Sequence, residues 1–583
     1  MQKTNSLTIK FAGAAGAGII VMSTSFAKCL QKHGLNVYST NDYPSLIKGG
    51  HNTVFLRAEE NDFYSHYDYN QIDVLVTLDK KGVLEHEKEL TEGGAILFDN
   101  KTVNITQEEL TRKDVRLLSV PFLEIASKNG GAIMLNTVAL GASLAVFGMK
   151  LDSLNEIIEK AFATKGEQVI NQNKACAKEG YDYLANLLKE KPFKINVKPV
   201  KKREKMFING NESACIGAIK AGCKFIAEYP MSPSSSVLHY MAKHEKQYNL
   251  VVKHTEDEIT AMNMIVGAGA TGVRALTATS GGGFSLMVEA LGLAGLSETP
   301  CVIINVQRAG PSTGLPTYTE QADLQFALHA SQGEFPRIVL APGDITECYE
   351  IIGKAFDLAE KVQTPCIVLL DKYLAETMHT VKPFDQNKII VERHNFYSDE
   401  EMAVMKNYKR HKLTESGVSK RAVYGQPNGM HVCSSYEHDE TGFSSEDPEN
   451  RIKQIDKRAR KMKVIHESEL APRVFGNENS DVTLVCWGST MMVAREALFH
   501  LQEKGINAKL IHYWALEPFP VETTIKLLKG NEPKIIFEGN STGQLRALIR
   551  EKTGIKIEHA HLRYDARPFI VPEIVDAALK LVK

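Results

Sequence analysis

Short apolar runs alternate with longer stretches of helical periodicity along most of the chain. The clearest case lies at its centre. Ala275–Thr279 and Cys301–Val306 are apolar runs of strand length, and Phe284–Leu296 between them carries an apolar helical face. Strand, helix, strand in this order is a βαβ unit, so a parallel sheet is predicted. Both strands run into loops of turn residues: Ser280–Gly283, a glycine-rich turn, and Arg308-Ala-Gly-Pro-Ser-Thr-Gly-Leu-Pro-Thr317. Ligands in open α/β sheets collect outside the carboxyl ends of the strands. The two loops therefore mark a candidate site. Glycines at 281–283 leave backbone N–H groups open to a ligand, at the positive end of the following helix. An ordinary tight turn is the alternative for that loop.

The same alternation divides the rest of the chain. Strands at Leu7–Ala12, Leu35–Tyr38, Ile72–Leu78 and Ala95–Phe98, with helices at Asn136–Phe147 and Leu154–Phe162, make 1–190 a Rossmann-like α/β domain. It opens on Gly13-Ala-Ala-Gly-Ala-Gly18 and closes in a charged helix and the basic linker Lys198–Lys205. A glycine fingerprint of this kind suits a dinucleotide, but no acidic residue follows at the required distance. Asn41-Asp42 comes near and runs into Tyr43-Pro-Ser-Leu-Ile-Lys-Gly-Gly50, which is not nucleotide-site chemistry. A structural turn competes with a ligand loop there.

A second α/β domain spans 206–384, with helices at Gly210–Ala221, Ser235–His244, Ile259–Gly272 and Thr346–Lys361. Its further strands are Phe225–Glu228, Val251–Lys253, Ile338–Leu340 and Cys366–Leu370. Tyr229-Pro-Met-Ser-Pro-Ser234 follows the first of these strands, where proline stops the strand and serines offer hydroxyls and a helix cap. Glu256-Asp-Glu258 precedes the small-residue helix Ile259–Gly272; Glu256 and Asp257 read as helix-dipole carboxylates. Charge rises and periodicity falls over 385–474, including the Lys- and Arg-rich helix Asp447–Lys463, so a solvated connector is predicted. A last α/β domain, 475–583, has strands Val482–Trp487, Ala508–His512 and Ile535–Glu538 and helices Met492–Gly505 and Gln544–Thr553.

Composition narrows the function classes. A chain of 583 residues with net charge −1 and no long apolar run carries no nucleic-acid or membrane footprint. Its nine cysteines never form a Cys-x-x-Cys pair, which argues against an iron–sulfur cluster or thiolate zinc site built by this chain alone. No metal ligand is expected in this chain. Dispersed cysteines and the lack of a signal-peptide pattern predict a cytoplasmic location.

Several motifs resemble one family. Thr279-Ser-Gly-Gly-Gly-Phe-Ser-Leu-Met-Val-Glu289, Gln307-Arg-Ala-Gly-Pro-Ser-Thr-Gly-Leu-Pro-Thr317, Thr319-Glu-Gln-Ala-Asp-Leu324 and Tyr229–Ser234 resemble the alpha subunit of 2-oxoacid:ferredoxin oxidoreductases, the 2-oxoglutarate type most closely. Glu437-His-Asp-Glu-Thr-Gly442 and Arg563-Tyr-Asp-Ala-Arg-Pro-Phe569 resemble it too. The N-terminal domain looks like the gamma subunit fused in front. The resemblance implies an α/β chain of gamma-like, thiamine pyrimidine-binding and transketolase C-terminal-like domains.

It also implies a reaction: oxidative decarboxylation of a 2-oxoacid on thiamine diphosphate, with coenzyme A taking the acyl group and ferredoxin the electrons. Glu258 would hold N1′ of the aminopyrimidine so that the cofactor can lose its C2 proton. Tyr229, Pro230, Gly281 and Gly282 would border the cofactor. Ser232, standing where the family has threonine, Arg308, Ser312 and Thr313 would face the substrate, Ser232 and Arg308 at the reacting group. The diphosphate-and-magnesium motif and the cluster cysteines are absent and belong, in the family, to a separate beta subunit carrying Mg²⁺ and a 4Fe–4S cluster. Tyr318 stands where the family is often basic, so this loop is expected to lack a cation for a second substrate carboxylate. A transketolase-type enzyme subunit and a non-catalytic scaffold are the competing readings. The first would need its own diphosphate motif; the second is disfavoured by the presence of Glu258 and the Arg308 loop.

Overall fold

The computed structural model describes every residue except 1, 2, 45–49, 202, 203 and 583. Ser45–Gly49 of the stretch after Asp42, and Lys202 and Arg203 of the basic linker, thus lie outside the described residues. The chain divides into two compact units, one of Met1–Ile208 with Glu376–Pro383, the other of Asn209–Ala375 with Phe384–Lys583.

In the first unit an eight-stranded sheet runs in the order Arg116–Ser119, Leu90–Phe98, Ile72–Thr77, Ser6–Ala14, His51–Glu59, Asn36–Asp42, Met378–Val381, Met206–Asn209. It is parallel from Ser6–Ala14 outward to Arg116–Ser119. His51–Glu59 lies antiparallel to both of its neighbours. The sequence pattern did not show that strand: His51-Asn-Thr-Val-Phe-Leu-Arg-Ala-Glu mixes polar and apolar positions without a clean alternation. Residues 376–383, expected in the second domain, contribute the strand Met378–Val381 to this sheet through pairing with Asn36–Asp42. The core beneath is aromatic, with Phe26 edge-on to Phe11 and tilted against Phe147. The glycine-rich opening is filled from within: Gly18 leaves space for the Asn136 side chain, whose amide donates to the Ala17 carbonyl at 2.8 Å.

The second unit holds two sheets. The larger has the order Val251–His254, Phe225–Glu228, Ala275–Thr279, Cys301–Gln307, Pro365–Asp371, Ile338–Leu340, Ala515–Glu517. All pairs but the last are parallel. The smaller has the order Arg473–Gly476, Ala508–Tyr513, Val482–Trp487, Lys534–Glu538, His559–Leu562. Strands buried on both faces read as continuous apolar runs, and their limits were legible. Ala275–Thr279, Ile338–Leu340 and Val482–Trp487 stand where the pattern put them. The two sheets share one core, in which Trp487, Ile511 and Tyr513 join Phe284, Leu324 and Val339. Gln321 stitches them further. Its amide donates to the Trp487 carbonyl at 3.1 Å, and its side-chain oxygen accepts from Thr490 Oγ1 and the Gly539 N–H, both at 2.9 Å.

The charged segment 385–474 is exposed over much of its length, as at 385–400, but part of it is buried rather than solvated. Lys457 and Lys461 are wholly buried and converge on the buried Glu298 carboxylate, to which His411 also bonds through Nδ1 at 3.1 Å. Burial works to raise the Glu298 carboxyl, but the two ammonium groups and His411 hold it well below the usual range. Burial pulls the Lys461 ammonium down to about 8. The Glu437–Gly442 motif is a clasp on this cluster. Glu437 takes a two-pronged bond from Arg458, at 3.0 and 2.8 Å, while Asp439 closes the turn by accepting from the Thr441 and Gly442 N–H groups.

Candidate active site

The strands Phe225–Glu228, Ala275–Thr279 and Cys301–Gln307 are parallel neighbours, so their carboxyl ends bring Tyr229–Ser234, Ser280–Gly283 and Arg308–Thr317 to one edge. Asp257 caps the helix Glu258–Ala270 by accepting from Thr260 N–H at 2.7 Å, and Glu256 accepts from the Thr260 hydroxyl at 2.8 Å. Asp257 is thus satisfied as the helix cap and Glu256 by a hydroxyl of the first turn. Glu258 is different. It is 3% exposed, and its Oε1 has no hydrogen-bond partner. Burial raises its pKa; its own backbone N–H opposes the rise. A buried carboxylate oxygen without a donor is costly, and is the mark of a group awaiting one.

The glycines explain where that oxygen sits. The helix begins at Gly281, not after Gly283, so the expected glycine turn is its first turn. A Cβ on Gly283 would stand 2.5 Å from Glu258 Oε1 and 2.8 Å from its Cγ, and would overlap Thr279 Oγ1. A Cβ on Gly281 would stand 2.6 Å from Asp323 Oδ2. Only Gly282 looks onto open space, with Met231 atoms at 4.0 Å. Gly283 is therefore the residue that admits the Glu258 carboxylate, and reading the three glycines as one loop concealed it.

Arg308 joins two of the loops by donating from Nη1 to the Ser232 carbonyl at 2.6 Å, while its Nε is buried without a partner. Burial lowers its pKa and the Asp323 carboxylate opposes that. Asp323 accepts from the Asn305 amide at 3.0 Å, and burial raises its own pKa. Ser232 is exposed, as are Tyr229 at 37% and the turn Ser312–Thr313, while Pro230 is half-buried. Neither Ser312 nor Thr313 makes a side-chain hydrogen bond among the described residues; they sit at the tip of a loop closed by Leu315 N–H to Ala309 O at 2.9 Å. At the foot of that loop Thr317 is buried with an unpartnered hydroxyl. Glu228, wholly buried, keeps one oxygen without a partner and the other 3.3 Å from Ser234 Oγ; burial raises its pKa far above the carboxylate range. Sequence reading missed Glu228, Thr317 and Asp323 as site residues, although all three adjoin or lie within the motifs that pointed here.

Tyr318 changes the expectation of a loop without a cation. The Arg567 guanidinium lies over its ring, 4.0 Å from the centroid, a cation–π contact. The positive charge comes from the far end of the chain.

The arrangement offers an unsatisfied buried acid, open backbone N–H groups at a helix start and a clamped guanidinium at one sheet edge. Comparison with known proteins agrees. Residues 216–457 match the family model described as "pyruvate flavodoxin/ferredoxin oxidoreductase, thiamine diP-bdg". Residues 8–183 match that of pyruvate ferredoxin/flavodoxin oxidoreductase, and 474–551 the transketolase C-terminal domain. A 2-oxoglutarate synthase subunit KorA of Methanocaldococcus jannaschii is 34% identical over 58% of this chain and 89% of its own. A solved 2-oxoglutarate:ferredoxin oxidoreductase from Magnetococcus marinus, with 2-oxoglutarate, coenzyme A and succinyl-CoA bound, superposes with a TM-score of 0.90 at 31% identity, covering 99% of this chain and 100% of its own. The alpha subunit of a 2-oxoacid:ferredoxin oxidoreductase from a Sulfolobus species is 33% identical across 98% of this chain and 96% of its own. With motifs, fold and full-length likeness in accord, the chain belongs to the 2-oxoacid:ferredoxin oxidoreductases, as an alpha subunit.

Proposed function

We propose that this chain supplies the pyrimidine side of a thiamine-diphosphate site that a beta subunit completes, and that the pair oxidatively decarboxylates a 2-oxoacid, with coenzyme A and ferredoxin as co-substrates. One observation carries the reading: Glu258 Oε1, buried and without a donor, in the space that Gly283 leaves free. Thiamine diphosphate, when bound, provides the carbon that attacks the 2-oxo group and stores the electrons of decarboxylation. Glu258 holds a proton against the aminopyrimidine N1′. Its raised pKa suits an acid that shares a proton rather than one that only repels charge. Gly282 lets the cofactor ring approach the helix start beside Gly281, with Tyr229 and Pro230 along its edge. Arg308 and Ser232 orient the substrate carboxylate and carbonyl, and Ser312 and Thr313 face it from the loop tip.

Mg²⁺ and the 4Fe–4S cluster are assigned to the beta subunit. The cysteines of this chain support that division: all nine are free thiols, and only Cys433 is exposed. Free thiols also support a cytoplasmic location, and no helix among the described residues is long and apolar enough to cross a membrane. Apolar side chains on the two helices that start at the site, Ile259 at 49% and Leu286 at 49% exposure, fit burial against the partner. The substrate is a 2-oxoacid that Arg567 can read at its far end, 2-oxoglutarate being the simplest with a second carboxylate. Reconstitution with the beta subunit, thiamine diphosphate and Mg²⁺ tests the reading. Ferredoxin reduction that requires both a 2-oxoacid and coenzyme A is expected. No turnover from a complex shown to hold its cofactor and cluster would contradict it.

A further inference from the structure

A second set of converging groups lies in the first unit. His51 begins the strand His51–Glu59 and pairs with Ala14, at the carboxyl end of Ser6–Ala14. The parallel strand Ile72–Thr77 ends at the same edge and hands on to Asp79, which caps the helix Lys80–His86 by accepting from Gly82 N–H at 2.8 Å. That helix carries Glu85 and His86. One ligand-capable atom from each of His51, Glu85 and His86 lies within 4.8 Å of the others. The place is the one where α/β sheets hold ligands, outside the carboxyl ends of parallel strands.

The rings are held for the purpose. His51 Nδ1 stands 3.6 Å from the Asp79 carboxylate, and His86 Nδ1 is 2.9 Å from Glu89 Oε1. The Glu89 carboxylate on His86 Nδ1 fixes the proton there and leaves Nε2 with the lone pair, and the Asp79 charge 3.6 Å from His51 Nδ1 favours the same tautomer of His51. Both Nε2 atoms are buried and have no hydrogen-bond partner. The rings stack with centroids 5.8 Å apart and 23° between planes. Two buried lone pairs and one carboxylate thus meet. Among the described residues, the one donor that reaches them is the Lys81 ammonium, 3.5 Å from Glu85 on the exposed side of the helix. The two imidazole acceptors, buried without a donor, carry a desolvation cost that a cation would remove. The carboxylate–imidazole pairing is the outer shell that orients metal-bound histidines.

We propose that His51, Glu85 and His86 bind one divalent first-row transition cation, zinc being the best match to two imidazoles and a carboxylate, with an open position left for water or an anionic oxygen. Magnesium and calcium favour all-oxygen sites, so this donor set selects against them. The expectation of no metal in this chain rested on its cysteines. Histidines on different elements, brought together only by the sheet, left no spacing to read.

The test uses the full chain after treatment with a chelator. Zn²⁺ is titrated by calorimetry and Co²⁺ by its visible d–d absorption. One equivalent of each per chain is expected, with cobalt bands of nitrogen and oxygen ligation. Glu85→Gln and His51→Asn should each weaken Zn²⁺ binding by about 100-fold or more. Glu89→Gln, which meets the far nitrogen of His86 with one oxygen and pairs with Lys10 through the other, should weaken it by about 10- to 100-fold. No stoichiometric binding by the parent chain overturns the proposal, as do cobalt bands of thiolate ligation. Should a histidine variant fail to fold, Glu85→Gln on the surface decides alone: parental affinity there overturns the site.

Discussion

Placing an alanine at 283 tests how tightly the site is built. In the interior of a helix, Gly→Ala ordinarily gains about 1 kcal/mol. At Gly282, with nothing nearer than 4.0 Å, Gly282→Ala should show most of that gain in urea unfolding. At Gly283 the new methyl meets Glu258 Oε1 at 2.5 Å, where a comfortable contact needs roughly 1 Å more. Crowding of this kind costs about 1–3 kcal/mol, so the net stability change of Gly283→Ala lies between about 0 and 2 kcal/mol unfavourable. The chemistry should suffer more. Shifting the carboxylate by roughly 1 Å predicts a fall in kcat of about 10²-fold. Both variants are to be assayed in the assembled complex for ferredoxin reduction with saturating 2-oxoacid and coenzyme A, alongside unfolding of each chain. Parental turnover by Gly283→Ala would refute the reasoning, since the acid would then work from a position the methyl forbids.

Glu298→Gln leaves Lys457 and Lys461 buried without a counter-charge and should cost about 3–5 kcal/mol in equilibrium unfolding. In the parent, the folded pKa of Glu298 lies below its unfolded value, so its contribution is full above the ordinary carboxylate range and is lost as pH falls through the folded pKa; the Gln variant should lose that part of the acid dependence. Arg567→Ala should lower kcat/KM for 2-oxoglutarate by about 10-fold or more while sparing pyruvate, as expected when a charge-assisted contact to one substrate is removed; equal losses for both would show a structural role only. The chain expressed alone should show no iron–sulfur absorbance and no turnover, and a cluster bound to it would contradict the division of labour with the beta subunit.

What the sequence made legible follows from physics at particular residues. Ala275–Thr279 and Val482–Trp487 are buried on both faces, so mainly apolar runs broken only by threonine marked their extent. The site loops were legible because proline, glycine and serine cluster at strand ends for few other reasons. His51–Glu59 was not, because two of its polar residues, Thr53 and Arg57, are buried with the apolar ones rather than turned to water. The charged segment misled for a related reason. Lys457 and Lys461 look solvated until Glu298, more than a hundred residues earlier, is placed against them. Arg567 likewise reaches Tyr318 only through the fold. Local pattern reports burial of apolar groups well, and it is silent about ions whose partners are distant in sequence.

The account rests on Glu258 as the acid that acts on thiamine, and proton exchange at C2 of the bound cofactor measures that directly. Glu258→Gln keeps the shape of the side chain but cannot share its proton in the same way. In the assembled complex, with cofactor occupancy and unfolding free energy verified as unchanged, the variant should exchange the C2 proton about 10²- to 10⁴-fold more slowly than the parent. A helix-dipole carboxylate would instead cost about 0.3–1 kcal/mol of stability and leave exchange alone. Exchange at the parental rate in Glu258→Gln would contradict the central claim.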